Sequence, residues 1–170
     1  MWKEFIIKYY SDILRIEKSD KMKIAIASDH RGVEYKLEIM KYLEEKGYIM
    51  VDCSTENTPT DDYPDFAFKV CEKVVSKEAE IGILVCRTGI GMSIAANKVK
   101  GIRCAKINSE EDAILSRNDN GANVMTFNFT EDIENIKKYI DAFIGADVIN
   151  DERHQRRVDK IMKYEEEHAR

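Results

Sequence analysis

None of the four cysteines in this 170-residue chain (Cys53, Cys71, Cys86 and Cys104) belongs to a C-x-x-C pair, which argues against a zinc site. No apolar run approaches the ~20 residues that a membrane span requires. Charges interrupt the N-terminal segment throughout, so nothing there has the pattern of a secretory leader. Basic residues are not in excess: 27 lysines and arginines face 32 aspartates and glutamates, for a net charge of −5. With no basic stripe, nucleic acid is an unexpected partner, although an acidic protein can still hold a local basic pocket for a phosphorylated small molecule. Together these absences lead us to expect a cytoplasmic protein with reduced thiols and no membrane contact.

What the chain does contain is an ordinary globular balance, 44% hydrophobic and 35% charged, long enough for one domain with a sizeable core. KIAIAS (23–28) reads as a buried strand. Leu37, Met40 and Leu43 recur at helical spacing over 33–46, with Gly47 as a stop. YIMVDC (48–53) reads as a second strand, 54–65 as a turn-rich loop, and 66–76 as a helix, with Pro64 read as the proline that starts it. Strands at 81–86, 102–107 and 123–127 alternate with helices from about Gly91, over 110–116 and over 131–144, and a charged helix starts near Asp151. Strands apolar on both faces, alternating with helices, predict an α/β fold: a Rossmann-like three-layer sandwich around a five-stranded parallel sheet. Residues 1–21 stand apart, with Trp2, Phe5, Ile6, Tyr9, Ile13 and Ile16 on one helical face. They predict a helical extension covering an apolar patch, set against a main domain over 22–170.

In a parallel sheet, ligands bind at the carboxyl ends of the strands. The third strand delivers Cys86 into Arg87-Thr88-Gly89-Ile90-Gly91, a strand-to-helix turn whose glycines let backbone N–H groups converge on an anion. A thiol beside such a nest is expected to titrate below its free value of ~8.5. Cys86 then reads as a base or nucleophile, or else as a small hydrophobe packed at a strand end. Asp29-His30 ends the first strand, and Asp62-Tyr63-Pro64 lies in a loop long enough to suggest function. Arg153 and Arg157, four residues apart, share a helical face and can grip one phosphate. Taken together, these parts suit isomerisation of a sugar phosphate. That reaction needs a base to move a proton between C1 and C2, donors for the enediolate oxygens, and a distant cationic clamp.

SDHRG at the first strand end, DYPD, CRTGIGMSIAANK, GIRCA, LSRNDNGANV and RHQRRV occur in that order. In this combination the chain resembles the type B ribose-5-phosphate isomerases and the galactose-6-phosphate isomerase subunits, from Met22 to about Ile161. The resemblance implies a cofactor- and metal-free aldose–ketose isomerase, working as a homodimer or homotetramer with its site shared between subunits. It implies Cys86 as the base, the Thr88–Gly91 turn as the enediolate loop, and Asp29 and His30 as substrate contacts. It further implies Asn120 as a contact from the neighbouring subunit and Arg153 with Arg157 as the phosphate clamp.

Three positions depart from the family pattern. Arg87 replaces the glycine after the cysteine. Asp119 replaces the ring-opening histidine, and aspartate, with a free pKa of ~3.9, is a poor proton donor at neutral pH. Asn128 and Thr130 replace a glycine and an arginine, removing one phosphate contact. His30 or His154 is then left to supply the ring-opening proton. The expectation is ribose 5-phosphate as substrate, with Tyr63 lining the sugar pocket. The alternatives are a hexose 6-phosphate (allose or galactose 6-phosphate), favoured by Arg87 and Asp119, and a non-catalytic sugar-phosphate-binding paralogue or partner subunit.

Overall fold

Along the first strand the side chains alternate between two cores. Ile24 and Ile26 join a cluster with Ile39, Leu43, Ile136, Ile140 and Phe143, whereas Ala25 and Ala27 join one with Phe66, Ala67, Val70, Met92 and Ala96. A strand with apolar residues on both faces is covered by helices on both. The computed structural model, which describes residues 21–149 and 151–168, shows that three-layer arrangement. Its elements are β1 (Lys23–Ser28), α1 (Val33–Glu45), β2 (Ile49–Asp52), α2 (Tyr63–Val75), β3 (Ile81–Cys86), α3 (Ile90–Ala96), β4 (Cys104–Lys106), α4 (Glu110–Asn118), β5 (Val124–Asn128), α5 (Ile133–Gly145) and α6 (Glu152–His168). The helical extension expected over 1–21 falls almost wholly outside the described residues.

The five strands are parallel in the order β2-β1-β3-β5-β4. β1 and β3 are neighbours whose chains leave in opposite directions, β1 towards β2 and β3 towards β4. The crevice between their carboxyl ends is therefore the switch point where ligands bind in such sheets. Register places Ser28 beside Val85, and Cys86 beside Asn128. Cys86 follows the alternation of β3 and faces the layer of α2 and α3, 6% exposed.

Two elements differ from the sequence reading by three residues. α2 begins at Tyr63 rather than Phe66, with Pro64 in its first turn, where the missing proline N–H costs nothing. β4 keeps only three of the six residues expected. It lies at the sheet edge, and the Asn97 side chain satisfies the Cys104 backbone on both sides: Nδ2 donates to the Cys104 carbonyl at 2.8 Å and Oδ1 accepts its N–H at 2.8 Å.

Candidate active site

The turn after β3 folds back on its own cysteine. Gly89 N–H donates to Cys86 Sγ at 3.1 Å, and Ile90 N–H donates to Thr88 Oγ1 at 3.2 Å. Gly89 makes this possible at φ +73, and a Cβ there would stand 3.1 Å from the carbonyl of Phe127. That hydrogen bond ties the sulfur to the turn. The other cysteines lack this. Burial pushes Cys53 up to about 11, and Cys71 and Cys104 up to about 12, as expected of packed, unreactive thiols. Gly91 is in contact with the Tyr63 ring: a Cβ on Gly91 would lie 2.8 Å from Tyr63 Cζ. The early start of α2 thus places Tyr63 beside the turn. Arg87, Thr88 and Ile90 are exposed on it.

Across the crevice, Asp29 Oδ1 accepts the N–H groups of Arg31 and Gly32, at 3.0 and 3.1 Å, which fixes the loop entering α1. His30 is held by a residue that the sequence reading did not single out. Its Nδ1 lies 2.7 Å from Asp61 Oδ1, and its backbone N–H donates to the same oxygen at 3.3 Å. The Asp61 side chain is 8% exposed. That burial raises its pKa, yet donors from Asn57, His30 and Thr58 outweigh burial and leave the carboxyl below its ordinary value. With Nδ1 occupied, His30 presents Nε2. A second buried group also escaped the sequence reading. Lys36, 2% exposed, donates to both Asp52 oxygens at 2.9 and 2.8 Å, and to the Ser54 carbonyl at 2.7 Å. The pairings of Asp61 with His30 and of Lys36 with Asp52 span 31 and 16 residues, so no local motif marks them.

The remaining expected site residues lie elsewhere. α4 runs from the carboxyl edge back to the amino edge, ending in Asp119 and Asn120 just before β5. The Asn120 carbonyl accepts from Arg103 Nε, in the segment leading into β4, at 3.0 Å. His154, next to Arg153 at the start of α6, approaches Asp119 Oδ1 at 3.6 Å. Asp119, Asn120, Arg153 and Arg157 are therefore separated from Cys86 by the length of a strand, roughly 17 Å for five steps of ~3.3 Å. One chain presents two groups of polar residues at opposite edges of the sheet. Among the described residues no set of three or more His, Cys, Asp or Glu is placed to hold a metal ion, and no helix is long and apolar enough to cross a membrane.

The fold and the carboxyl-edge residues give an α/β protein with a candidate small-molecule site at the switch point of a parallel sheet, comprising a thiol, a glycine turn and a carboxylate-held histidine. Residues 24–161 match the model of the Ribose/Galactose Isomerase family. A probable ribose-5-phosphate isomerase B from Mycoplasma genitalium is 45% identical over 148 residues, 85% of this chain and 96% of that protein. Ribose-5-phosphate isomerase B from Escherichia coli is 40% identical over 145 residues, 85% of this chain and 97% of that one. Among solved structures, ribose-5-phosphate isomerase B of Clostridium thermocellum superposes with a TM-score of 0.83 at 40% identity, over 87% of this chain and all of that one. The M. genitalium enzyme with bound ribulose-5-phosphate gives 0.80 at 42% identity, over 86% and 97% of the two chains. The chain belongs to the type B ribose-5-phosphate isomerase and galactose-6-phosphate isomerase family, and it is an isomerase.

Proposed function

We propose that the protein interconverts an aldose phosphate and a ketose phosphate, with ribose 5-phosphate and ribulose 5-phosphate as the pair, through an enediolate and without a metal or cofactor. The observation that carries this reading is Cys86 at the switch point, its sulfur bonded by the Gly89 N–H. Cys86 Sγ takes the proton from C2 of the open-chain aldose and returns it to C1. The Thr88–Gly91 turn and Arg87 hold the O1 and O2 oxygens as charge develops. Asp29, His30 and Tyr63 line the sugar on the same edge. Asp119, Asn120, Arg153 and Arg157 come from the amino edge of a second copy in a homodimer or homotetramer, and the two arginines hold the phosphate. M. genitalium ribose-5-phosphate isomerase B, whose structure contains ribulose-5-phosphate, supports the choice of substrate.

Arg87 gives a second reading some weight. It is a charged, exposed side chain on the turn itself, and it suits a longer sugar with one more oxygen, such as a hexose 6-phosphate. The test is isomerisation of ribose 5-phosphate beside a panel of hexose 6-phosphates, with Cys86→Ala as control. Activity on ribose 5-phosphate that vanishes in the control is the expected result. Activity confined to a hexose 6-phosphate replaces the substrate. No turnover, with sugar phosphate still raising the melting temperature, replaces the enzyme by a binding protein.

A further inference from the structure

At the amino edge the Arg153 guanidinium lies 3.0 Å from His154 Nε2. A guanidinium only donates, so this nitrogen accepts the hydrogen bond and carries no proton. The other ring nitrogen, Nδ1, faces Asp119 Oδ1 at 3.6 Å. His154 is thus bracketed by a carboxylate and a guanidinium, its side chain 12% exposed and that of Asp119 40% exposed. Asp151 fixes the same helix start by accepting the Arg153 N–H at 2.7 Å. His30, the other candidate for ring opening, sits at the opposite edge of the sheet.

We propose that His154, partnered by Asp119, opens the furanose ring of the aldose phosphate, and that Arg153 frees it for that work when it turns to the phosphate. This rests on the reading of the protein as a sugar-phosphate isomerase whose site is completed by a second copy. Once the guanidinium leaves, Nε2 takes the proton of the anomeric hydroxyl. The electron pair of that O–H bond forms the C1 carbonyl, the bond from C1 to the ring oxygen breaks, and its pair goes to the ring oxygen. The imidazolium returns the same proton to that oxygen. One proton moves, nothing is oxidised or reduced, and no co-reactant is consumed. The Asp119 carboxylate faces the transient positive charge, a role that suits an ionised aspartate although it is a poor acid itself. Substrate phosphate and ring opening are thereby linked, because the side chain that blocks Nε2 is one that the phosphate claims.

The test compares forward and reverse rates as enzyme concentration is raised. Ribulose 5-phosphate cannot close to a furanose, because its 5-oxygen is esterified, so the reverse reaction enters with an open chain. With the unmodified enzyme both rates rise in proportion to enzyme. For His154→Asn the reverse rate stays proportional, while the forward rate levels off at the uncatalysed rate of ring opening, roughly a hundredfold below the unmodified enzyme at high concentration. Asp119→Asn levels off in the same way, and Asp119→His introduced into the His154→Asn protein restores proportionality. A plateau of this kind does not arise from a merely destabilised fold, which lowers both slopes together. A forward rate that stays proportional to enzyme in both single variants overturns the proposal, as does equal loss in both directions at an unchanged melting temperature. Absence of turnover in the unmodified enzyme overturns the proposed function instead.

Discussion

Gly89 carries two burdens at once. Its φ of +73 lies where an L side chain is strained, and its Cα faces the Phe127 carbonyl, with the Thr126 hydroxyl 3.2 Å from the place a Cβ would take. Gly89→Ala is therefore expected to cost about 1–2 kcal/mol in urea unfolding and, by moving the N–H off Cys86, to lower turnover roughly tenfold or more. Gly145→Ala, in the last turn of α5 where a Cβ meets nothing within 4 Å, is the control: turnover is unchanged and stability rises by about 0.4–1 kcal/mol. Asp61 makes a prediction of the opposite chemical kind. Its folded-state pKa lies below the ordinary 3.8, so it contributes stability that is complete above that value and is lost as pH falls through the folded one. The melting temperature of the unmodified protein should fall more steeply than that of Asp61→Asn as pH is lowered below about 4, and the two curves should converge at the acid end. Parallel curves would show that the donors of Asn57, His30 and Thr58 together add nothing to the folded state.

The elements were legible in proportion to how local their causes are. β1 and β3 matched the sequence reading residue for residue, because continuous apolar and β-branched runs bounded by polar turns specify buried parallel strands without outside help. β4 was overestimated because IRCAKI has the same composition; its shortness comes from an edge position and from Asn97. α2 starts three residues before Phe66, while Pro64, read as a helix-starting proline, does lie in its first turn. Lys36 was invisible for another reason: its partners, Asp52 and Ser54, lie on a different element and the loop after it. That buried ion pair ties α1 to the carboxyl end of β2 and to the loop that carries Asp61. Removing the lysine strands Asp52, whose side chain is 19% exposed, so Lys36→Met should lower stability by about 3 kcal/mol, read from the urea midpoint. A loss within ~0.5 kcal/mol would mean that Asp52 turns to water without cost.

At the scale of the whole molecule, the motif resemblance implies one reaction with residues drawn from two subunits, and the fold sets those residues apart within one chain. The cause is the parallel sheet. A helix that leaves the carboxyl edge must return to the amino edge before the next strand begins, so Cys86 and the end of α4 fall on opposite edges. On the proposed reading a site that needs both is completed by a second copy, with each copy lending Cys86 to one site and Arg153 and Arg157 to the other. This predicts complementation between two inactive proteins. Cys86→Ala lacks the base, and a protein with Arg153→Ala and Arg157→Ala lacks the clamp, so neither turns over alone. In a mixed dimer one site takes both lesions and the other takes neither. Equal amounts, unfolded together and refolded, should form about half mixed dimers with one working site of two, and so recover about a quarter of the unmodified activity. Recovery near zero from a well-folded mixture would place the base and the clamp in the same chain, and would require α6 to reach the carboxyl edge by a path that this fold does not take.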